Sequence, residues 1–168
     1  MDPRVTAVDE LLDNARRYAD EHASIPTQTP MLAVAVLTCM DARIDPSRLL
    51  GLEPGDAHVI RNAGGRATED ALRSLAVSNS LLGTRDVIVI QHTDCEMMTE
   101  DEVLRRRLTE ASGADASRVD LLCFDDVDRS LREDVARILG SPFTPDEARV
   151  YGYVFDVVTG SMSQVVPD

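Results

Sequence analysis

Apolar positions recur along the chain with two periods, and the alternation between the periods predicts the fold. Residues 6–21 place Val8, Leu11, Leu12, Ala15 and Tyr18 at helical spacing. A turn-rich stretch from Ser24 to Pro30 follows. Residues 31–37, MLAVAVL, are apolar throughout, the pattern of a buried parallel strand. Asp45 as N-cap and Pro46 in the first turn open a short helix over 46–50. His58-Val59-Ile60 is a second strand. Thr68 to Leu82 reads as a strong helix, with Thr68 as its cap and Gly83 as its stop. VIVI at 87–90 is a third strand, and Thr99 to Ala111 is an amphipathic helix with Val103, Leu104 and Leu108 inward. Val119 to Phe124 is a short fourth strand, and Asp125 to Leu139 a helix ended by Gly140 and Pro142. Residues 149–157 form another strand, and Met162 to Val166 pairs back on it across a Thr159-Gly160 turn. Strands alternating with helices predict an α/β fold: a mainly parallel central sheet flanked by helices, with an antiparallel C-terminal edge hairpin.

Composition narrows the class of partner. With 168 residues, the chain is long enough for one compact domain with a real core. That core must be aliphatic, since aromatics make up 4% and Trp is absent. Seventeen basic against 30 acidic residues leave a net charge of −13. Such a chain lacks the basic footprint that nucleic acid or an anionic membrane requires. No apolar run approaches the ~20 residues of a membrane-spanning helix. The stretch from Met1 to Asp20 is acidic and helical in pattern, unlike a signal peptide. Three cysteines, an odd number, argue for a reducing, cytoplasmic setting in which thiols bind metal or react.

In an open α/β sheet, sites form at the carboxyl ends of the strands. Cys39 follows the first strand, within Cys39-Met40-Asp41-Ala42-Arg43. His92 and Cys95 follow the third, within Gln91-His92-Thr93-Asp94-Cys95. Adjacent parallel strands would thus bring two thiolates and one imidazole to one place, a donor set suited to catalytic zinc. Taken singly, a cysteine is more often a small buried hydrophobe than a ligand, and the ordinary reading of Asp41 with Arg43 is a surface ion pair. Cys123 lies in an apolar run and is read as core. Gly64 and Gly65 are turn glycines or a backbone lining close to substrate. Arg61 is read as a structural anchor, His58 as packed or hydrogen-bonded, and His22 as a solvent-facing helix end. Arg105, Arg106 and Arg107 are read as a charged helix face.

Cys-x-Asp-x-Arg, then Arg61-Asn62-Ala63-Gly64-Gly65, then His-x-x-Cys, with 52 residues between Cys39 and His92, resembles the signature of the β-class carbonic anhydrases. The short chain is similar to the compact bacterial members. The resemblance implies one domain over residues 1–168. It also implies one Zn2+ per chain held by Cys39, His92 and Cys95, with Asp41 and Arg43 as a catalytic dyad. In a closed state Asp41 itself would take the fourth zinc position; Arg43 holds it back in the open one. The implied reaction is reversible hydration of CO2 to bicarbonate and a proton by zinc-bound hydroxide, faster in mild alkali. Two thiolates donate more charge than imidazoles and keep the bound water less acidic. A homodimer, or a tetramer built from dimers, is implied as well, with residues 1–30 lying across the partner. Two other readings stay open: a hydrolase of CS2 or COS on the same scaffold, and a non-catalytic zinc protein. The chain departs from the family pattern at Glu96, where Gly is usual. A side chain there is expected to strain the loop, or to bring a further carboxylate to the metal.

Overall fold

The structure, a computed structural model, describes residues 6–167. Its elements are α1 (Ala7–Glu21), β1 (Val34–Cys39), α2 (Pro46–Leu50), β2 (Ala57–Asn62), α3 (Glu69–Leu81), β3 (Asp86–His92), α4 (Asp101–Ser112), α5 (Val127–Leu139), β4 (Arg149–Phe155) and β5 (Met162–Val166). A 3-10 turn at Ala63–Gly65 follows β2. The five strands form one sheet in the order β2-β1-β3-β4-β5. The first three pairings are parallel and β4 with β5 is antiparallel. The predicted α/β architecture and its edge hairpin are therefore present.

Local chemistry explains the helix starts. The Thr6 side chain accepts from the Asp9 N–H, and the Asp9 carboxylate returns the bond, a complete capping box. Asp45, Thr68 and Asp126 each accept from a backbone N–H in the first turn of the helix they open. β1, apolar on both faces, lies between two aliphatic layers. On one side Ala35, Leu37, Val87 and Val89 pack against Ala71 and Leu75 of α3 and Leu131, Val135 and Ile138 of α5. On the other, Val36 and Ile90 meet Ile44, Leu104, Met97 and Phe124.

Two expectations are corrected. The apolar run at 31–37 becomes a strand only from Val34, and the strand extends through Cys39. Met31 and Leu32 are exposed, and Ala33 sits at φ 53, so the chain turns before it enters the sheet. The strand expected at Val119–Phe124 does not form. Only one bridge survives, between Met98 and Phe124. Leu122 at φ 54 breaks the extended run. Side chains take the place of a ladder: Arg105 donates to the Val119 carbonyl, Arg66 to that of Leu122, and Asp101 accepts from the Cys123 N–H.

α1 stands apart. None of its residues is buried, and Val8, Leu11, Leu12 and Tyr18 are all half exposed or more.

Candidate metal centre

The sheet order places β1 between β2 and β3, so the chain reverses its direction of travel across β1. Crevices open at such switch points, beyond the carboxyl ends of the strands. The register pairs Thr38 with Ile90, which carries Cys39 and His92 to the same end. Both are the last residues of their strands. Cys95 returns on the loop after β3. Its Sγ, the Cys39 Sγ and a ring nitrogen of His92 all lie within 4.8 Å of one another, and all three residues are buried.

The details fit a metal. His92 Nδ1 meets the Thr93 carbonyl at 2.8 Å, so that nitrogen carries the proton and Nε2 presents its lone pair. Nε2 is buried with no hydrogen-bond partner, an arrangement that costs stability unless a Lewis acid takes the lone pair. The donor set of two thiols and one imidazole is one that catalytic zinc uses. Backbone N–H groups of Asp41 and Gly64 point to the Cys39 sulfur, and that of Met97 to the Cys95 sulfur.

The two thiols share charge unequally. A hydrogen bond from Cys95 outweighs burial and draws Cys39 down to about 4, while the neighbouring Cys39 thiolate and burial push Cys95 well up. One anion is thus held between two sulfurs, and a divalent cation bound there would supply the charge that lets both ionise. Burial lowers His92, but the Cys39 sulfur and the Thr93 carbonyl together outweigh it and leave the ring raised.

Arg43 organises the rim. Its Nε and Nη2 grip Asp41 at 3.0 and 2.7 Å, and its backbone N–H adds a bond of 2.8 Å. These bonds hold the Asp41 carboxyl far below the usual carboxylate range. The Asp41 Oδ2 lies 3.9 Å from His92 Nε2, close enough to the cluster to face whatever binds there. Arg43 also reaches Asp94, at 2.7 Å to its carboxylate and 2.9 Å to its carbonyl. It therefore ties the loop after β1 to the loop that carries Cys95. Asp94 escaped sequence reading. The available signal was an Asp between His92 and Cys95 at a tight turn, since Asp tolerates the left-handed backbone it adopts at φ 54.

Arg61 anchors the loop after β1. It donates to the Cys39 carbonyl at 2.9 Å and to the Asp41 carbonyl at 2.7 Å. His58 bonds to Ser78 and to the Gln28 carbonyl, away from the cluster. Exposed His22 caps the end of α1 beside Tyr18. Cys123 is half-buried against the same apolar layer as Cys39 and Cys95, and burial pushes its thiol up to about 11.

The two glycines separate in role. Gly64 lines a cavity of about 510 Å³ that opens beside Cys39 and Cys95. Gly65 does not line it; at φ +64 it presses against the backbone of Thr38, Cys39 and Ile90. The rest of the cavity wall is mainly apolar, from Met97, Leu104, Leu108, Val119 and Leu121. No lining residue is basic. Glu96 lies at the rim and pairs with Arg107 of α4 instead of joining the sulfur–imidazole cluster. Its φ is not positive, and the strained position in this loop is Asp94. Arg105 and Arg106 pair with Asp101 and Glu110 on the charged face predicted for α4.

Comparison with known proteins gives a consistent picture. A family model described as carbonic anhydrase matches residues 34–162. β-Carbonic anhydrase 1 of Mycobacterium tuberculosis is 38% identical over 164 residues, covering 97% of this chain and all of that protein. The crystal structure of a carbonic anhydrase from Streptococcus mutans superposes with a TM-score of 0.88 at 37% identity, over 96% of this chain and 98% of that one. A carbon disulfide hydrolase of Acidianus sp. is more distant, at 30% identity over 90% of this chain and 87% of its own length.

Proposed function

The chain belongs to the β-class carbonic anhydrase family, and on that footing we propose that Cys39, His92 and Cys95 hold its zinc and that Asp41 and Arg43 serve the reaction. The protein is a zinc enzyme that hydrates CO2 reversibly to bicarbonate and a proton. The observation that carries the residue assignment is the buried Nε2 of His92, unpartnered and within 4.8 Å of two sulfurs. Zinc, when bound, supplies the Lewis acidity that lets a water molecule lose a proton near neutral pH.

The chain's own residues do the rest. Asp41, kept ionised by Arg43, accepts a hydrogen bond from the attacking water and orients it. Arg43, itself engaged by Asp94, keeps Asp41 from swinging onto the metal. That hold argues against a permanently closed, non-catalytic zinc site. The apolar wall of Met97, Leu104 and Leu121 suits an uncharged substrate. No basic side chain lines the cavity, so bicarbonate, once formed, finds no cation in the lining to retain it. Hydrolysis of CS2 is not favoured, because the relatives named for it are less similar than those named for CO2 chemistry.

The oligomer belongs to the same proposal. α1 exposes one apolar face and buries no residue, and an isolated helix of this length is marginal in water. A homodimer in which α1 crosses the partner would cover that face; a tetramer of such dimers is compatible with it. Among the described residues, no helix is long and apolar enough to cross a membrane. The three free thiols support a cytoplasmic setting.

Stopped-flow CO2 hydration across pH ~7 to ~9, on protein carrying stoichiometric zinc, tests the reading. A rate well above buffer that climbs with pH is expected. No rate at any pH with zinc bound would overturn it, and CS2 turnover would then be the next assay.

A further inference from the structure

Successive residues of a strand face opposite sides of the sheet, and β3 uses this at its last two positions. His92 turns toward the sulfurs. Gln91, with no exposed surface, turns to the other face, where its Nε2 donates to Asp134 of α5 at 2.8 Å. The same carboxylate oxygen accepts from Arg66 Nε at 2.7 Å. Asp134 is 2% exposed and Arg66 6%. The Arg66 guanidinium also donates to the Leu122 carbonyl and lies 5.5 Å from the centre of the Phe124 ring. Its backbone is clamped at both polar groups by the Asn62 side chain, at 2.8 and 2.7 Å.

This small buried network touches the approach to every metal ligand. Gln91 precedes His92 directly. Phe124 donates its N–H to the Met97 carbonyl at 3.0 Å, and the Met97 N–H points to the Cys95 sulfur. The Arg66 side chain abuts Gly64, whose N–H points to the Cys39 sulfur.

Stability alone does not account for these residue types. A buried Arg–Asp pair adds little net stability compared with well-packed apolar residues of similar size. Gln91 leaves its Oε1 buried and unpartnered, which costs free energy that a Met or Leu would not. What polar groups supply here is direction: each bond fixes the angle of an element that ends in a ligand.

We propose that Gln91, Asp134 and Arg66 are positioning residues for the metal centre: a buried hydrogen-bonded unit on the reverse face of the sheet that aims the loops carrying Cys39, His92 and Cys95. The proposal rests on the zinc reading above. The unit touches neither metal nor substrate, so its removal loosens the metal without removing a ligand.

The test uses the zinc-loaded full chain, its Gln91→Met variant and the double variant Arg66→Met/Asp134→Leu, which leaves no buried charge unpaired. Zinc release to excess chelator, the d–d absorption of the Co(II)-substituted proteins and thermal unfolding are measured together. For Gln91→Met we expect an unchanged or higher unfolding temperature, zinc release about tenfold faster and a shifted Co(II) spectrum, in line with the usual effect of residues that orient metal ligands. A purely structural role would move the unfolding temperature instead. Zinc release within twofold of wild type in Gln91→Met, with an unchanged Co(II) spectrum, overturns the proposal. That single variant decides even if the double variant fails to fold. Wild-type protein that fails to retain one zinc per chain would instead overturn the metal reading itself, and this inference with it.

Discussion

Gly65 offers a sharp test of how the turn after β2 supports the metal centre. A Cβ built there would stand 2.9 Å from the Cys39 nitrogen and 3.0 Å from both the Ile90 carbonyl oxygen and the Thr38 carbonyl carbon. All three are backbone atoms of β1 and β3, so no side chain can rotate away. Gly65→Ala therefore carries two costs. Placing an L-residue at φ +64 costs about 1–2 kcal/mol. Forcing a methyl group against close-packed backbone adds about 1–3 kcal/mol. Gly113 isolates the first cost, because it has φ +71 and nothing within 4 Å of a built Cβ. At about 2–4 °C per kcal/mol for a chain of this size, Gly113→Ala should lower the unfolding temperature by about 2–8 °C and Gly65→Ala by about 4–20 °C. Thermal unfolding at one fixed zinc concentration measures both, with the metal content of each variant determined in parallel. Zinc retention should fall in Gly65→Ala alone, since the backbone of Cys39 must move. A loss at Gly65 no larger than that at Gly113, with full zinc in both, would refute the claim that this turn braces the ligand strand.

Other outcomes follow from the same geometry. Arg43→Gln releases Asp41 toward the metal, so zinc content should hold while CO2 hydration at pH ~7 falls at least ~10-fold; undiminished hydration would sink the assignment of Arg43. Zinc loading near pH 7 should release at least one proton per chain, from Cys95, because Cys39 is already ionised at about 4; calorimetry in two buffers of different ionisation enthalpy counts it. Arg43 lowers Asp41 in the folded state, so the pair's stabilisation is fully present above the unfolded value of ~3.9 and is lost as pH falls through the lowered one. Acid titration of Asp41→Asn should therefore show a shallower loss of stability below pH ~4 than wild type. Glu96→Gly removes a partner of Arg107 but no ligand, so zinc content should stay stoichiometric and the unfolding temperature should move by no more than a few degrees.

Several features that position the site are written locally, which is why sequence reading reached them. Asp45, Thr68 and Asp126 cap helices through bonds within their own first turns. Cys39 and His92 end the strands that the apolar runs build, so finding the runs finds the candidate metal donors. The segment from Val119 to Phe124 misled because its composition is that of a strand, while its polar backbone groups are met by Arg66, Arg105 and Asp101 from elsewhere in the chain. Glu96 misled in the opposite sense: the strain belongs to Asp94, and Arg107, from the next helix, decides where the carboxylate goes.

By itself the sequence determined the order of strands and helices, the caps, the aliphatic core and the donors that gather at one end of the sheet. The elements and caps follow from periodicity and from side chains acting on their own near neighbours, and the gathering of the donors follows from the rule that parallel strands end on one edge of the sheet. Only the tertiary structure decided that Arg43 joins Asp41 to Asp94, that Gly65 abuts two strands, and that Gln91 reaches Asp134 and through it Arg66. Those contacts join residues some 25 to 68 positions apart, or set a direction about the backbone that depends on them. No local pattern encodes them, because each forms only after the sheet has brought its partners together, and the Gln91–Asp134–Arg66 contacts are also buried from the water that would otherwise satisfy them.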